Sequence, residues 1–261
     1  PLTGRFLNAD IYCDTFSGSP LSTNAFSYCE NNSISRIDPY GGWYYNLKDY
    51  QRFYINPLIE QRDYYGRINY NTQYKYYKNL VTCAVAEKDR IYKRLEYNGR
   101  RYGQNRSYIY GQGLSPVKFL KYGMGSTIGA TGCYAVALYN VYFHLKNWIS
   151  LPQIILEIEI NGLLASSGQN GTQDRAISLF LRAHNRSFVK YTKKQYNKFK
   201  NNATKYSVSI VLYKNEYSHG FCIVKIKGKL YTLNFYNNDS NKKRIEWDKI
   251  KKGFFEAYCI Y

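Results

Sequence analysis

Several things are scarce in this chain. Its 261 residues include six prolines, three histidines and one methionine, and its six cysteines contain no CxxC pair. Spacing of that kind excludes a zinc ribbon and a dense disulfide scaffold. With so few histidines, nothing calls for a metal or a cofactor. No apolar run approaches the roughly 20 residues that a membrane-spanning helix needs, so stable membrane insertion is not expected. No signal peptide opens the chain, and Pro1 reads as a cut inside a longer protein. Acid is scarce as well: 18 Asp and Glu stand against 37 Lys and Arg, for a net charge of +19.

What is plentiful is tyrosine, 31 residues of it, in a chain that is 44% hydrophobic. Such a length allows one large domain or two small ones. Tyrosine buries its ring while its hydroxyl stays wet, which suits sheet faces and binding surfaces alike. The charge is uneven. Residues 1–45 carry two arginines and four acids, net −2, which leaves +21 on the remainder. A field of that sign attracts a phosphate backbone, an anionic surface or an acidic protein. Its plainer reading is solubility alone.

Three segments follow from composition: residues 1–45, 46–117 and 118–261. The first alternates short β-type runs with turn chemistry at Thr3-Gly4, Ser17-Gly18-Ser19-Pro20 and Asp38-Pro39-Tyr40-Gly41. It is too small to bury a core alone, so it is expected to lean on later segments or on another chain. Its motifs are Gly4-Arg5-Phe6-Leu7-Asn8-Ala9-Asp10, Asn24-Ala25-Phe26-Ser27-Tyr28-Cys29-Glu30-Asn31-Asn32 and Arg36-Ile37-Asp38-Pro39-Tyr40-Gly41. They resemble the end of the core domain of the Rhs/YD-repeat family. Membership would imply a β-shell enclosing a C-terminal toxin, secretion, delivery into the cytoplasm of a target cell, and a cognate immunity protein. Ser33 stands where the family has Pro, and Gly42-Trp43 where self-cleaving members carry Leu.

The second segment is a basic, Tyr-rich pre-domain. Residues 72–94 read as a helix with an apolar stripe of Tyr76, Leu80, Cys83, Val85 and Tyr92, reaching Leu95 just beyond, and Asn98-Gly99 reads as a turn. Arginine interleaved with aromatics is also the habit of single-strand nucleic-acid binders. The third segment gives helices first and strands second, an α+β pattern. Helices are expected over 132–148, 151–160, 172–184 and 191–199, and strands over 207–213, 220–227, 229–236 and 254–261, with a hairpin at Lys227-Gly228.

The chemistry-bearing pair is Cys133 and His219. Cys133 follows Gly132 and opens an apolar helix, where terminal N–H groups favour a thiolate. His219 lies 86 residues later, between a turn and a strand, placed to take the thiol proton. Asn234 sits across the hairpin and would orient the ring, with Asp239 as runner-up. His144 reads as structural and His184 as a helix-end cation. Cys83, Cys222 and Cys259 read as packing residues.

This third segment resembles the papain-like peptidases of the bacteriocin-processing type and their polymorphic-toxin relatives. The likeness rests on Gly132-Cys133 through Asn140, on Ser150 to Gly162, on Gly171-Thr172 and on His219-Gly220-Phe221. It implies a papain-like α+β fold and a triad of Cys133, His219 and Asn234. The activity implied is a cysteine-dependent one on a target-cell protein: peptide cleavage, deamidation or acyl transfer. The family's glutamine, five or six residues before the cysteine, is replaced here by Ile128 and Thr127. Two rivals stand beside it: a ribonuclease toxin with His219 as acid and base on RNA, and a non-catalytic binding module.

Overall fold

The computed structural model describes residues 43–214 and 218–261. The expectations for the first segment concern residues that lie, apart from 43–45, outside the described ones. Two compact units divide between Tyr92 and Lys93.

In the first unit, Asn46 caps α1 (Leu47–Tyr50), its Oδ1 accepting the N–H groups of Lys48 and Asp49. The chain continues through a π-helical stretch, Gln51–Ile55, into α2 (Asn56–Arg67), reverses, and enters α3 (Asn71–Tyr102). Tyrosine pairs hold this unit: Tyr50 stacks on Tyr54 at 4.9 Å and Tyr65 on Tyr77 at 5.5 Å. The expected helical stripe is corrected. Tyr76, Cys83, Val85 and Tyr92 are exposed, and the buried positions are Val81, Ala84 and Ile91. A tyrosine hydroxyl lets its ring sit on a wet face, so aromatic spacing does not mark the buried side.

The turn expected at Asn98-Gly99 lies inside α3. Asn98 is buried, its Nδ2 donating to the Lys121 carbonyl and its Oδ1 accepting the Lys121 N–H. Two tertiary hydrogen bonds outweigh a local preference worth about 1 kcal/mol.

The second unit is α+β. A small hairpin, β1 (Lys121–Tyr122) and β2 (Ser126–Thr127), leads through the single turn α4 (Ile128–Thr131) to α5 (Cys133–His144). Then come α6 (Leu151–Ile160), with Ser150 as its cap, and α7 (Ala176–Ala183). The last of these starts later than the sequence suggested. Thr172 is not its cap: it is bridged to Leu164, and its hydroxyl meets that of Tyr122.

Where the sequence suggested a helix from Tyr191, the chain forms β3 (Phe188–Thr192), and α8 (Tyr196–Asn202) begins only after a Thr192/Gln195 capping box. The rest is β4 (Val208–Lys214), β5 (Ser218–Ile226), β6 (Lys229–Leu233), β7 (Lys243–Arg244), α9 (Trp247–Gly253) and β8 (Phe254–Ile260). Lys227 and Gly228, both at positive φ, make the expected hairpin. The antiparallel sheet has the order β3-β8-β4-β5-β6-β7.

Strand alternation gives the sheet two faces. Gly220 and Cys222 of β5 face α5: a Cβ on Gly220 would stand 2.5 Å from the Tyr134 ring, and the Cys222 thiol donates to the Ala137 carbonyl. Phe221 and Ile223 face the other way, into an aromatic core with Phe199, Ile250 and Phe254 under α8 and α9. Every residue of α5 from Cys133 to Tyr142 is buried, which an all-round apolar helix requires.

Candidate active site

The turn before Cys133 is fixed from several sides. A Cβ on Gly132 would lie 2.7 Å from the Cα of Ile128, so only glycine fits. The hydroxyls of Ser126 and Thr131 meet at 2.7 Å, and Thr131 also donates to the Gly168 carbonyl. Behind the β1–β2 hairpin, Glu159 of α6 accepts the Gly123 N–H at 2.8 Å and pairs with Arg94 at 2.8 Å. Both partners of that ion pair are largely shielded from water, so loss of either would strand a charge.

The Cys133 thiol is buried at the N-terminus of α5. Burial pushes its pKa up to about 11. The backbone N–H groups of Gly220, Tyr134 and Cys133 itself act against that rise, and the nearby Asp174 carboxylate adds to it. Asp174 accepts from the Tyr134 hydroxyl at 2.8 Å and from Lys214 at 2.5 Å. The thiol is therefore protonated at neutral pH, yet it lies among donors that would stabilise a negative charge.

His219 is 5% exposed, and its Nε2 lies 2.5 Å from the backbone carbonyl of Asn234. A carbonyl only accepts, so Nε2 carries the proton and Nδ1 is the basic nitrogen of the neutral ring. Burial lowers the His219 pKa, and the contact with the Asn234 backbone opposes this. The ring is thus neutral and able to accept a proton. What β5 sets against the thiol is the N–H of Gly220, the residue after His219.

Asn234, expected to orient the ring, reaches His219 through its main-chain carbonyl. Its φ is 60°, a left-handed conformation that Asn adopts more readily than most residues. Its side chain is spent on Gln112: Oδ1 accepts the Gln112 N–H at 2.7 Å, and Nδ2 donates to Gln112 Oε1 at 3.0 Å and to the Gly220 carbonyl at 3.3 Å. Asp239, the runner-up, accepts the Tyr236 N–H and lies 3.9 Å from Lys243.

The other two histidines have structural partners. His144 Nδ1 meets the Tyr108 hydroxyl at 2.8 Å. His184 Nε2 meets Glu157 at 2.7 Å, and its ring stacks on Phe180. Cys222 and Cys259 are buried, but Cys83, read as a packing residue, is exposed on α3. Asn140 is also structural, exchanging two hydrogen bonds with the backbone of Ile109.

Among the described residues, no helix is long and apolar enough to cross a membrane. A scan against protein-family models and a search of the curated proteins found no match to this chain. Sequence reasoning missed Gln112 and the Gly220 N–H. Gly111-Gln112-Gly113 sits in a stretch without periodicity, and its two glycines were the only signal: a Cβ on either would collide with the Asn237 carbonyl.

Proposed function

We propose that this chain is the C-terminal part of an Rhs-type polymorphic toxin, and that residues 118–261 form a papain-like cysteine enzyme. Cys133 is the nucleophile, His219 the base and Asn234 the residue that fixes the histidine. One observation carries the reading: β5 brings the Gly220 N–H to the Cys133 thiol, while the preceding residue is a neutral histidine whose tautomer leaves Nδ1 basic. The order of elements, a cysteine-bearing helix followed by helices and then an antiparallel sheet, supports the papain-like fold.

In this mechanism Nδ1 of His219 takes the thiol proton, and the thiolate attacks the carbonyl carbon of an amide in a target-cell protein. The N–H groups at the start of α5 hold the oxyanion that develops. Protonated His219 then donates to the departing nitrogen, which leaves a thioester on Cys133. Water completes peptide cleavage or deamidation; an amine completes acyl transfer. With the thiol pKa near 11, the histidine does the work of activation rather than meeting a preformed thiolate.

The toxin reading rests on the motifs of residues 1–43 and on the charge. A +21 remainder suits an acidic immunity protein that quenches the activity in the producing cell. A ribonuclease mechanism fits less well, because His219 Nε2 is committed to a backbone carbonyl and one nitrogen is left to serve as both acid and base on RNA. A purely non-catalytic module leaves the donors around the thiol without a use. The deciding experiment expresses wild type and Cys133→Ser in a test cell, with proteome mass spectrometry and RNA electrophoresis. Loss of toxicity and of modified protein in the variant supports the proposal. Undiminished toxicity of the variant, with degraded RNA, overturns it.

A further inference from the structure

We propose that Gln112 is a positioning residue for His219, and that the strap Ile109–Gln112 belongs to the site although it lies in the segment that reads as a pre-domain. This deepens the cysteine-enzyme reading and rests on it for its consequence, but its geometry stands apart from any activity.

The strap is tied at both ends. Its first residue, Ile109, gives its N–H to Asn140 Oδ1 at 2.9 Å and accepts Asn140 Nδ2 at 2.8 Å, which joins it to the helix that carries Cys133. At its other end, the Tyr110 carbonyl accepts the Asn234 N–H at 2.6 Å, and Gln112 holds the Asn234 side chain by a donor and an acceptor together. Gln112 is 2% exposed and its Nε2 reaches the Gly129 carbonyl at 3.4 Å, in the turn before Cys133. The Gly113 N–H continues the lacing onto the Asn237 carbonyl at 2.6 Å.

The direction of the Asn234 carbonyl follows from these ties. A left-handed residue turns its carbonyl away from the path a strand would take, and that conformation persists only where surrounding bonds hold it. Gln112 supplies two of those bonds, one from its main-chain N–H and one through its side-chain Oε1, and Gln112→Ala removes the second. The carbonyl so aimed accepts Nε2–H of His219, and this acceptor selects the tautomer with Nδ1 unprotonated. Gln112 therefore sets which nitrogen of His219 is basic without touching the ring.

The test is nitrogen-15 NMR of the three histidines in the full chain, with His219 assigned by His219→Ala. Wild type is expected to show His219 protonated at Nε2 and titrating below the ordinary histidine pKa. Gln112→Ala is expected to mix the two tautomers, move the titration toward the ordinary value, and slow alkylation of Cys133 by iodoacetamide by about tenfold at pH 7. Gln112→Glu keeps the acceptor for Asn234 Nδ2 and should restore the Nε2–H tautomer. Asn98→Ala, an equally buried amide loss in the same unit, should lower stability and leave the His219 signals where they are.

An unchanged His219 spectrum in folded Gln112→Ala overturns the proposal. So does a wild-type His219 protonated at Nδ1, which needs no variant to fold. Failure of the enzyme reading is recognised separately, by Cys133→Ser keeping full toxicity while the His219 tautomer still follows Gln112.

Discussion

The two faces of the six-stranded sheet use the same strand for different ends. On one face β5 presents Gly220 and Cys222, small residues that let α5 come close enough to set its thiol against the Gly220 N–H. On the other it presents Phe221 and Ile223, which join Phe199 and Phe254 in a stacked aromatic core. Stability is concentrated where side chains are large. The candidate site lies where they are small enough for main-chain groups to do the contacting.

The largest effect expected from this contrast is on reactivity. Cys133→Ser should lower any thiol-dependent turnover by about a thousandfold or more, while leaving the thermal transition within a few degrees of wild type. Peptide mapping after alkylation should find label on Cys133 and none on Cys222, which is sealed beneath α5; equal labelling of both would break the comparison.

Next comes the aromatic face. Phe254 is 2% exposed, lies 5.2 Å from the Phe199 ring and meets Tyr196 edge-on. Phe254→Ala should cost about 3–5 kcal/mol in urea unfolding. A folded Phe254→Ala should still alkylate at Cys133.

The titratable groups give a smaller effect at both ends of the pH range. The Cys133 thiol ionises near 9.0 when free and near 11 when folded, so the unfolded chain loses its proton first as pH rises. Stability is then lost from about pH 9 to about pH 11 by on the order of 3 kcal/mol, and Cys222, also raised by burial, works in the same direction. His219, lowered from 6.5, acts at the acid end: the unfolded chain takes up protons first, and stability falls as pH drops below 6.5. Urea midpoints measured from pH 5 to 11 should show both declines, and Cys133→Ser should shrink only the alkaline one.

The smallest effect is at the solvent edge. The Asp174–Lys214 pair is exposed on both sides, 40% and 38%, so Lys214→Met should change stability by less than about 1 kcal/mol. A larger loss would mean that the rim near the thiol carries structural load that the comparison assigns to the other face.

Much of this was legible in the sequence. A run apolar but for Asn140 announces α5, Ser150 and Pro152 announce α6, and the Lys227-Gly228 turn sets the register of β5 against β6. β3 was not legible, because an edge strand with half-buried residues carries no clean alternation. Nor was the start of α7, where Thr172 and Asp174, inside the expected helix, are engaged instead with Tyr122 and Tyr134. At the site, residue types pointed to Cys133, His219 and Asn234. They did not reveal that Asn234 works through its carbonyl and spends its side chain on a glutamine 122 positions away. Contacts made by main-chain atoms leave no trace in residue identity.

The burial of α5 on every side has a consequence for the time before the fold exists. Cys133 to Tyr142 is apolar on every side but for Asn140, and the strands that cover it begin only at Val208. At a synthesis rate of about 5–20 residues per second, this segment waits several seconds for its partners. Chaperone capture, and aggregation where capture fails, should therefore map to residues 133–142 ahead of any other part of the second unit.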